Sequence, residues 1–447
     1  MLGFAHARKW VYPQAVTGRH QRMRRWTFLA LHLVLFVTPW IRIKGHPALR
    51  FDLEARELYA FGGIFTASDT ILLLLMLLFL AFALFFFTSL YGRLWCGYGC
   101  PQTVFLDAWI RPIERWIEGD WVKRRRRDEG PWTFDWVWRK AAKWGVFALV
   151  SVVASMAFMS FFAGAPELWT GRAGPMEYTL VAIFAAGWFL DFAWFREQFC
   201  NYLCPYARFQ SALTDDQTLQ ITYDAARGEP RGGVSARTEG RCIACNKCVA
   251  VCPQGIDIRD GFQLECIACA RCVDACEDVM GRLGHESLVA YGTLAAAHAA
   301  KPRWVRPRTV AYATLLTGIA AAWTALILTR TPFEATVGRA PGTLFTLDDD
   351  GFVRNTYILR VTNNDPAPGT MPFHVSVEGM RGAEVVAQDI RLASTESAAV
   401  PLVIRVPSAP GMPRTIPLRV RVTSPQHHML LDATFKTGGA FAAADAD

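Results

Sequence analysis

The sequence has no cysteine before position 96 and none after position 276. All twelve cysteines fall in three places: Cys96 with Cys100, Cys200 with Cys204, and a block running from Cys242 to Cys276. A secreted disulfide framework does not look like this, and spacings this tight favour metal chelation. Other signatures are missing too. There is no Walker motif, no G-x-G-x-x-G with a following acid and no nucleophile elbow in a strand–turn–helix setting, so phosphate-cradling and serine-nucleophile chemistry find no support. The first 25 residues contain no acid and no apolar h-region, yet carry Arg8, Lys9, Arg19, Arg22, Arg24 and Arg25. A secretory signal peptide is therefore not expected.

Apolar residues are in excess, at 52% of 447, which points to a membrane component alongside room for two or three domains. Five segments are apolar enough for the roughly 20 residues a spanning helix needs: 26–42, 70–92, 144–165, 178–195 and 309–329. The second and fifth are uncharged, whereas the first contains His32 and Pro39 and the fourth contains Asp191. Basic residues cluster at the N-terminus, in 93–143 around the run Lys123–Arg127, and at both ends of the segment between the fourth and fifth spans. The short loop 166–177 holds only Arg172, and 43–69 balances its bases with acids. By the positive-inside rule the N-terminus lies inside and the C-terminus outside. The Arg run, set between two spans, reads as an anchor to the anionic inner leaflet rather than a nucleic-acid patch.

The expected organisation is a cytoplasmic segment 1–25 and a membrane region 26–213 with helices 1–4 and the basic loop 93–143. A ferredoxin-like domain 214–300 follows, then helix 5 at 301–330. A linker 331–350 ending in Asp348-Asp349-Asp350-Gly351 leads to a β-sandwich 351–437 and a disordered tail 438–447. Short alternating runs such as "NTYILRVT" and "IPLRVRVT", parted by turn residues, suggest roughly seven strands of immunoglobulin type.

The eight-cysteine block carries the clearest chemistry. Cys242, Cys245, Cys248 and Cys252 stand in the C-x2-C-x2-C-x3-C-P pattern of bacterial ferredoxins, and Cys266, Cys269, Cys272 and Cys276 repeat it. Three close thiolates wrap three irons of a cubane, and the fourth ligand comes from the other motif. One [4Fe–4S] cluster is therefore assigned to Cys242, Cys245, Cys248 and Cys276, the other to Cys252, Cys266, Cys269 and Cys272. Pro253 follows Cys252, whereas Glu277 follows Cys276. Clusters of this kind pass single electrons.

The remaining thiols form a repeat. A shift of 104 residues lays "CGYGCPQTVFLDA" over "CNYLCPYARFQSA", matching both cysteines, Tyr98 with Tyr202, Pro101 with Pro205 and Phe105 with Phe209. Each copy follows an even-numbered span, so two hairpins related by a pseudo-twofold would bring Cys96, Cys100, Cys200 and Cys204 near one another. Pro101 and Pro205 bias the second cysteine of each pair away from helix, so each motif is expected to cap its span. A structural disulfide is disfavoured on the reducing side. Soft thiolates suit Cu(I), while a further cluster or a dithiol–disulfide cycle stays open. His427-His428-Met429 reads as a solvated loop and Met156 with Met159 as packing; His32 and Asp191 are intramembrane polar groups of the kind that raise functional suspicion.

Taken together, "VYPQAVTG", "CGYGCPQTVF", "CNYLCPYARFQ", "CIACNKCVAVCPQGIDIRDG", "CIACARCVDACEDVM" and "NTYILRVTN" resemble the CcoG/RdxA/FixG family of cbb3-type cytochrome c oxidase accessory proteins over nearly the whole chain. Glu277 is in keeping with that family; Tyr98 stands where a tryptophan is expected. The resemblance implies a multidomain membrane protein of the bacterial inner membrane: a five-helix bundle, a cytoplasmic two-cluster ferredoxin-like domain and a periplasmic immunoglobulin-like sandwich. It further implies an iron–sulfur oxidoreductase that reduces Cu(II) to Cu(I) for oxidase assembly, with copper as substrate at the four paired thiols. Implied partners are membrane lipid, a cytoplasmic electron donor, and copper chaperones or oxidase subunits, with no nucleic acid. Two other readings compete: an electron conduit or quinol dehydrogenase of a respiratory chain, and an assembly scaffold with redox-sensing clusters.

Overall fold

The computed structural model describes residues 10–66, 69–233, 239–297, 303–365, 369–380, 382–409 and 411–437. The expected tail 438–447 and most of the first ten residues lie outside that set. Contacts divide the chain into two compact units, Met1–Trp40 with Leu73–Trp323, and Ile41–Leu72 with Thr324–Asp447.

Among the described residues four helices are long and apolar enough to cross a membrane: Thr70–Tyr91, Phe134–Ala163, Pro175–Phe195 and Pro307–Leu328. The third expected span begins ten residues early, because Thr133 caps it by accepting from Trp136 N–H at 3.2 Å and the basic turn Arg139–Lys143 continues the helix. The first expected span, 26–42, is a helix Arg19–Val37 followed by a 3-10 turn Thr38–Trp40, and its basic opening turns keep it out of the group of four. Small side chains let the middle helices approach: Ser151, Ala154, Ser155 and Ala157 are buried on Phe134–Ala163, and Ser155 Oγ donates to Val181 O at 2.8 Å.

The basic loop 93–143 is not a loop. It folds into short helices at Leu94–Tyr98, Pro101–Phe105, Arg111–Glu118 and Trp121–Glu129, with a π-helical stretch at Leu106–Ile110. Helical periodicity splits the Arg run expected to lie on the leaflet. Arg124 turns inward and pairs with Glu114 at 2.6 Å, while Arg125 pairs with Glu129 on the surface. Glu114 also receives both terminal nitrogens of Arg196.

The ferredoxin-like region is bracketed by a two-stranded sheet in which Gln220–Tyr223 pairs antiparallel with Val289–Gly292. Its core joins Ile221, Ile258, Val273 and Val289 to Ala268 and Ala270 of the second cysteine motif. The stretch 11–18, read only as a family signature, docks here. Gln14 N–H donates to Ala250 O at 2.8 Å, and the Asp274 carboxylate accepts from the N–H groups of His20 and Gln21, capping the helix Arg19–Val37.

In the second unit the linker expected at 331–350 contains a strand, Phe333–Arg339, paired with Phe352–Asn363. Alternation in "FEATVGR" buries Phe333 and Ala335, so the sandwich starts earlier than 351. Among the described residues one sheet runs Glu384–Ala387, Ser397–Pro407, Phe352–Asn363, Phe333–Arg339, with Thr346–Leu347 as a fifth strand beside Phe352–Asn363. The other runs Ile390–Ala393, Thr370–Glu378, Thr415–Thr423, His428–Lys436. Tyr357, Leu359 and Val361 face the core between exposed Ile358 and Arg360. Asn355 ties the sheets by exchanging hydrogen bonds with the Lys436 backbone at 2.8 and 2.9 Å. Residues 42–65, where the sequence showed only a balance of bases and acids, form a small hairpin and a three-stranded sheet. They join this unit through Arg330, which donates to Ile64 O and pairs with Asp69 at 2.6 Å.

Candidate metal centres

Two quartets of thiols line two cavities. Cys242, Cys245, Cys248 and Cys276 face one, beside Tyr223 and Val279. Cys252, Cys266, Cys269 and Cys272 face the other, which Cys248 also reaches. Cys272 and Cys276 stand one turn apart on the helix Arg271–Arg282, yet line different cavities. Among the described residues no three His, Cys, Asp or Glu side chains converge closely enough for a single ion. Thiols set around a cavity, rather than on a point, suit a cage of several metals.

The backbone supports the same use. Ala244 and Asn246 in the first motif, and Ala268 and Ala270 in the second, all have positive φ between 50° and 56°. A left-handed conformation costs a non-glycine residue about 1–2 kcal/mol. It recurs here at the residues flanking the middle cysteine of each motif. Alternating hands turn successive N–H groups into one concavity, the nest that receives anionic groups, iron–sulfur cages included. Sequence reading missed these four positions: nothing in alanine signals three of them, and Asn246, a residue type that favours the left-handed region, was the one available cue. Burial pushes Cys248 up to about 11 and Cys266 up to about 12, and Cys272 rises well above its ordinary value. Metal binding here must displace protons.

The two outer pairs come together and repeat in detail. Cys100 and Cys204 are both extended N-cap residues, at ψ 127° and 112°, each followed by a proline that opens a helix. The Cys100 N–H donates to Trp95 O and the Cys204 N–H to Phe199 O, each at 2.9 Å and each five residues back. The motifs differ in what precedes them: Cys96 lies on a short α-helix, Cys200 on a π-helix Phe199–Leu203. Cys200 lies in electrostatic range of Cys100, Cys96 and Cys204, and Cys100 in range of Cys204. Burial pushes Cys96 up to about 11 against the pull of Arg93, and Cys200 up to about 12. Gln102, just after the first motif, reaches across to Asp191 and to Arg196 O near the second.

The first pair touches the second cavity's loop. Cys96 packs on Ile267 and Cys269 in one buried cluster, flanked by Tyr206. A methyl on Gly97 would sit 2.6 Å from Ile267 O and 2.9 Å from Cys269 Cα. Gln210 bridges the regions: its Oε1 accepts from Arg93 Nε at 2.7 Å and from the Cys96 thiol at 3.4 Å, and Arg93 also donates to Leu264 O. Below this, Arg24 donates to Gly97 O at 2.8 Å and pairs with Asp107, which Arg111 and Arg271 share. Burial alone would raise the Asp107 carboxyl, but Arg111, Arg24 and Arg271 hold it well below the usual range. The other singled-out residues stay apart from these centres. His32 bonds Phe28 O and Trp109, Met156 and Met159 pack among apolar neighbours, and His428-Met429 open a strand of the sandwich.

Three families match the chain. The "4Fe-4S dicluster domain" covers residues 195–293, and the "4Fe-4S binding domain" covers 73–127 and 174–215, each stretch holding one outer thiol pair. The "IG-like fold at C-terminal of FixG" covers 323–437. Protein RdxA of Cereibacter sphaeroides is 34% identical over 442 residues, 92% of this chain and 93% of that protein. Nitrogen fixation protein FixG of Rhizobium meliloti is 34% identical over 424 residues, 84% of this chain and 80% of that protein. Protein RdxB of Cereibacter sphaeroides is 35% identical over 377 residues, 79% of each. The chain therefore carries domains of the 4Fe–4S type and a C-terminal immunoglobulin-like fold.

Proposed function

The chain belongs to the family of RdxA, RdxB and FixG, and from that premise we propose that it is a membrane iron–sulfur oxidoreductase reducing Cu(II) to Cu(I). Cys242, Cys245, Cys248 and Cys276 hold one [4Fe–4S] cluster, and Cys252, Cys266, Cys269 and Cys272 the other. When bound, such clusters supply reversible one-electron storage. Cys96, Cys100, Cys200 and Cys204 receive copper, each Cu(II) taking one electron to become Cu(I). Thiol softness supports the preference for the reduced ion. Because burial keeps Cys96 and Cys200 protonated near neutrality, copper uptake displaces protons.

The observation that carries the reading is the packing of Cys96 and Gly97 against Ile267 and Cys269, which sets a metal-receiving thiol against a cluster loop. Replacing all four outer cysteines by serine should abolish Cu(II) reduction and leave the cluster absorbance intact; unchanged reduction would sink the assignment. A second reading, a further cubane on the four outer thiols, is favoured by the 4Fe–4S family match to both stretches. An iron count separates them: about eight irons per chain for two cubanes, about twelve for three.

The clusters and outer thiols lie on the cytoplasmic side of a bacterial inner membrane and the sandwich on the periplasmic side. Charge supports this orientation. So does connectivity: among the described residues the four long helices are even in number, which returns Arg330 to the side of Asp69. The helix Arg19–Val37 with Thr38–Trp40 then makes a fifth crossing, because Gln14 is bonded to Ala250 on the cluster side. A cytoplasmic donor supplies the electrons, and copper chaperones or oxidase subunits take the reduced copper.

A further inference from the structure

A cavity of about 830 Å³ in the first unit belongs to none of the centres above. It is walled by the helix Arg19–Val37, by the passage from the π-helix Leu106–Ile110 into Arg111–Glu118, and by Arg271 beside the second cluster loop. Its walls divide by chemistry. Phe28, Leu29, Phe36, Ala108 and Trp109 make one side apolar. His32 on that side is engaged at both ring nitrogens, by Phe28 O at 2.6 Å and Trp109 Nε1 at 2.5 Å, so it offers no free base.

The other side carries Arg25, Arg111, Arg115, Arg124 and Arg271 against the single acid Asp107. Asp107 is already shared by Arg24, Arg111 and Arg271, and Arg124 is turned to Glu114. That leaves positive charge over. Among the described residues Arg25 and Arg115 are exposed and have no ion pair. Arg111 is 6% exposed, and its Nε, like that of Arg271, finds no acceptor. Leaving a buried donor without an acceptor is costly, so a ligand supplying oxygen anions is favoured. The cavity also lies where the helix Arg19–Val37 changes from its basic opening to its apolar run, which is the level of lipid headgroups in the membrane reading.

We propose that this cavity binds one acidic phospholipid, its phosphodiester among Arg25, Arg111 and Arg115 and its acyl chains along Phe28, Leu29 and Trp109. Guanidinium groups pair with phosphate oxygens in two-point contacts, and basic pockets at this depth suit acidic headgroups. A neutral quinone leaves the surplus charge unmatched, and a choline headgroup brings a cation against it.

The test uses the full chain, delipidated in detergent, with native mass spectrometry as readout and cluster absorbance as the check of folding. Phosphatidylglycerol, phosphatidylcholine, inorganic phosphate and a membrane quinone are added separately. One phosphatidylglycerol should remain per chain, and phosphatidylcholine should not. Arg25→Ala with Arg115→Ala should cut retention at least about tenfold. Ala108→Phe, which fills the cavity without changing charge, should do the same. Equal retention by wild type and either variant overturns the proposal, because binding is then not in the cavity. Displacement by inorganic phosphate at equal concentration reduces the site to an anion site and overturns the lipid assignment. Retention of the quinone in preference to phosphatidylglycerol overturns it in favour of a redox ligand.

Discussion

Gly97 has no space for a side chain, since Ile267 O and the Cys269 backbone occupy the place a methyl would take. Backbone cannot swing aside as a side-chain end can. Gly97→Ala should therefore displace the loop of the cluster assigned to Cys269 and lose up to about four irons per chain. Iron analysis with electron paramagnetic resonance checks this; two unaltered cluster signals would contradict it. Glu114 presents the opposite case, a buried carboxylate made necessary by its neighbours. Burial would raise its carboxyl, but Arg196 and Arg124 hold it down at about 2. Glu114→Gln leaves buried guanidiniums uncompensated and should cost about 3–5 kcal/mol, read by thermal unfolding in detergent. A depressed carboxyl contributes its full stability above its unfolded value of 4.5 and loses it only as pH falls towards 2. The gap between wild type and Glu114→Gln should thus not narrow as pH falls from 8 to 5; narrowing in that window would show that Glu114 titrates there. The eight cysteines of the block 242–276 were legible at this scale as two quartets, which line two cavities, because their spacing restricts what they can hold; the spacing of the outer four names no such site. Arg124 was not legible, because a run of five bases hides which one the helix turns inward.

Long apolar runs announce helices, since little besides a membrane tolerates them, and four of the five expected spans are long apolar helices. Their ends were less legible: Phe134–Ala163 gains its extra turns from a Thr133 cap and amphipathic lysines, neither of which apolarity reports. The π-helical stretches beside both thiol motifs carry no sequence mark. In the sandwich the alternating strands are plain in the sequence, but Phe333–Arg339 reads as linker because seven residues between Pro332 and the turn at Pro341-Gly342 give a weak signal. Phe333 is fully buried and meets Phe373 edge-on with ring centres 5.2 Å apart. Phe333→Ala should destabilise the sandwich by about 3–5 kcal/mol while cluster absorbance stays unchanged. Differential scanning calorimetry of the full chain tests this; an unshifted sandwich transition would return the strand to linker status.

At the scale of the whole molecule, the chain separates a redox unit from a β-unit within one sequence, and the family match spans both. The repeat at 104 residues was visible as letters, but its meaning was not. Only the fold shows that the copies converge, and that the first lies against a ferredoxin-type loop. The direct measurement is anaerobic mixing of the dithionite-reduced protein, freed of excess reductant, with Cu(II). Cluster bleaching and Cu(I) appearance are followed together, in wild type and in the variant with serine at 96, 100, 200 and 204. The account predicts that the clusters reoxidise in step with Cu(I) formation in wild type, about one electron per copper, and stay reduced in the variant. Equal reoxidation in both proteins, or reoxidation without Cu(I), would contradict it.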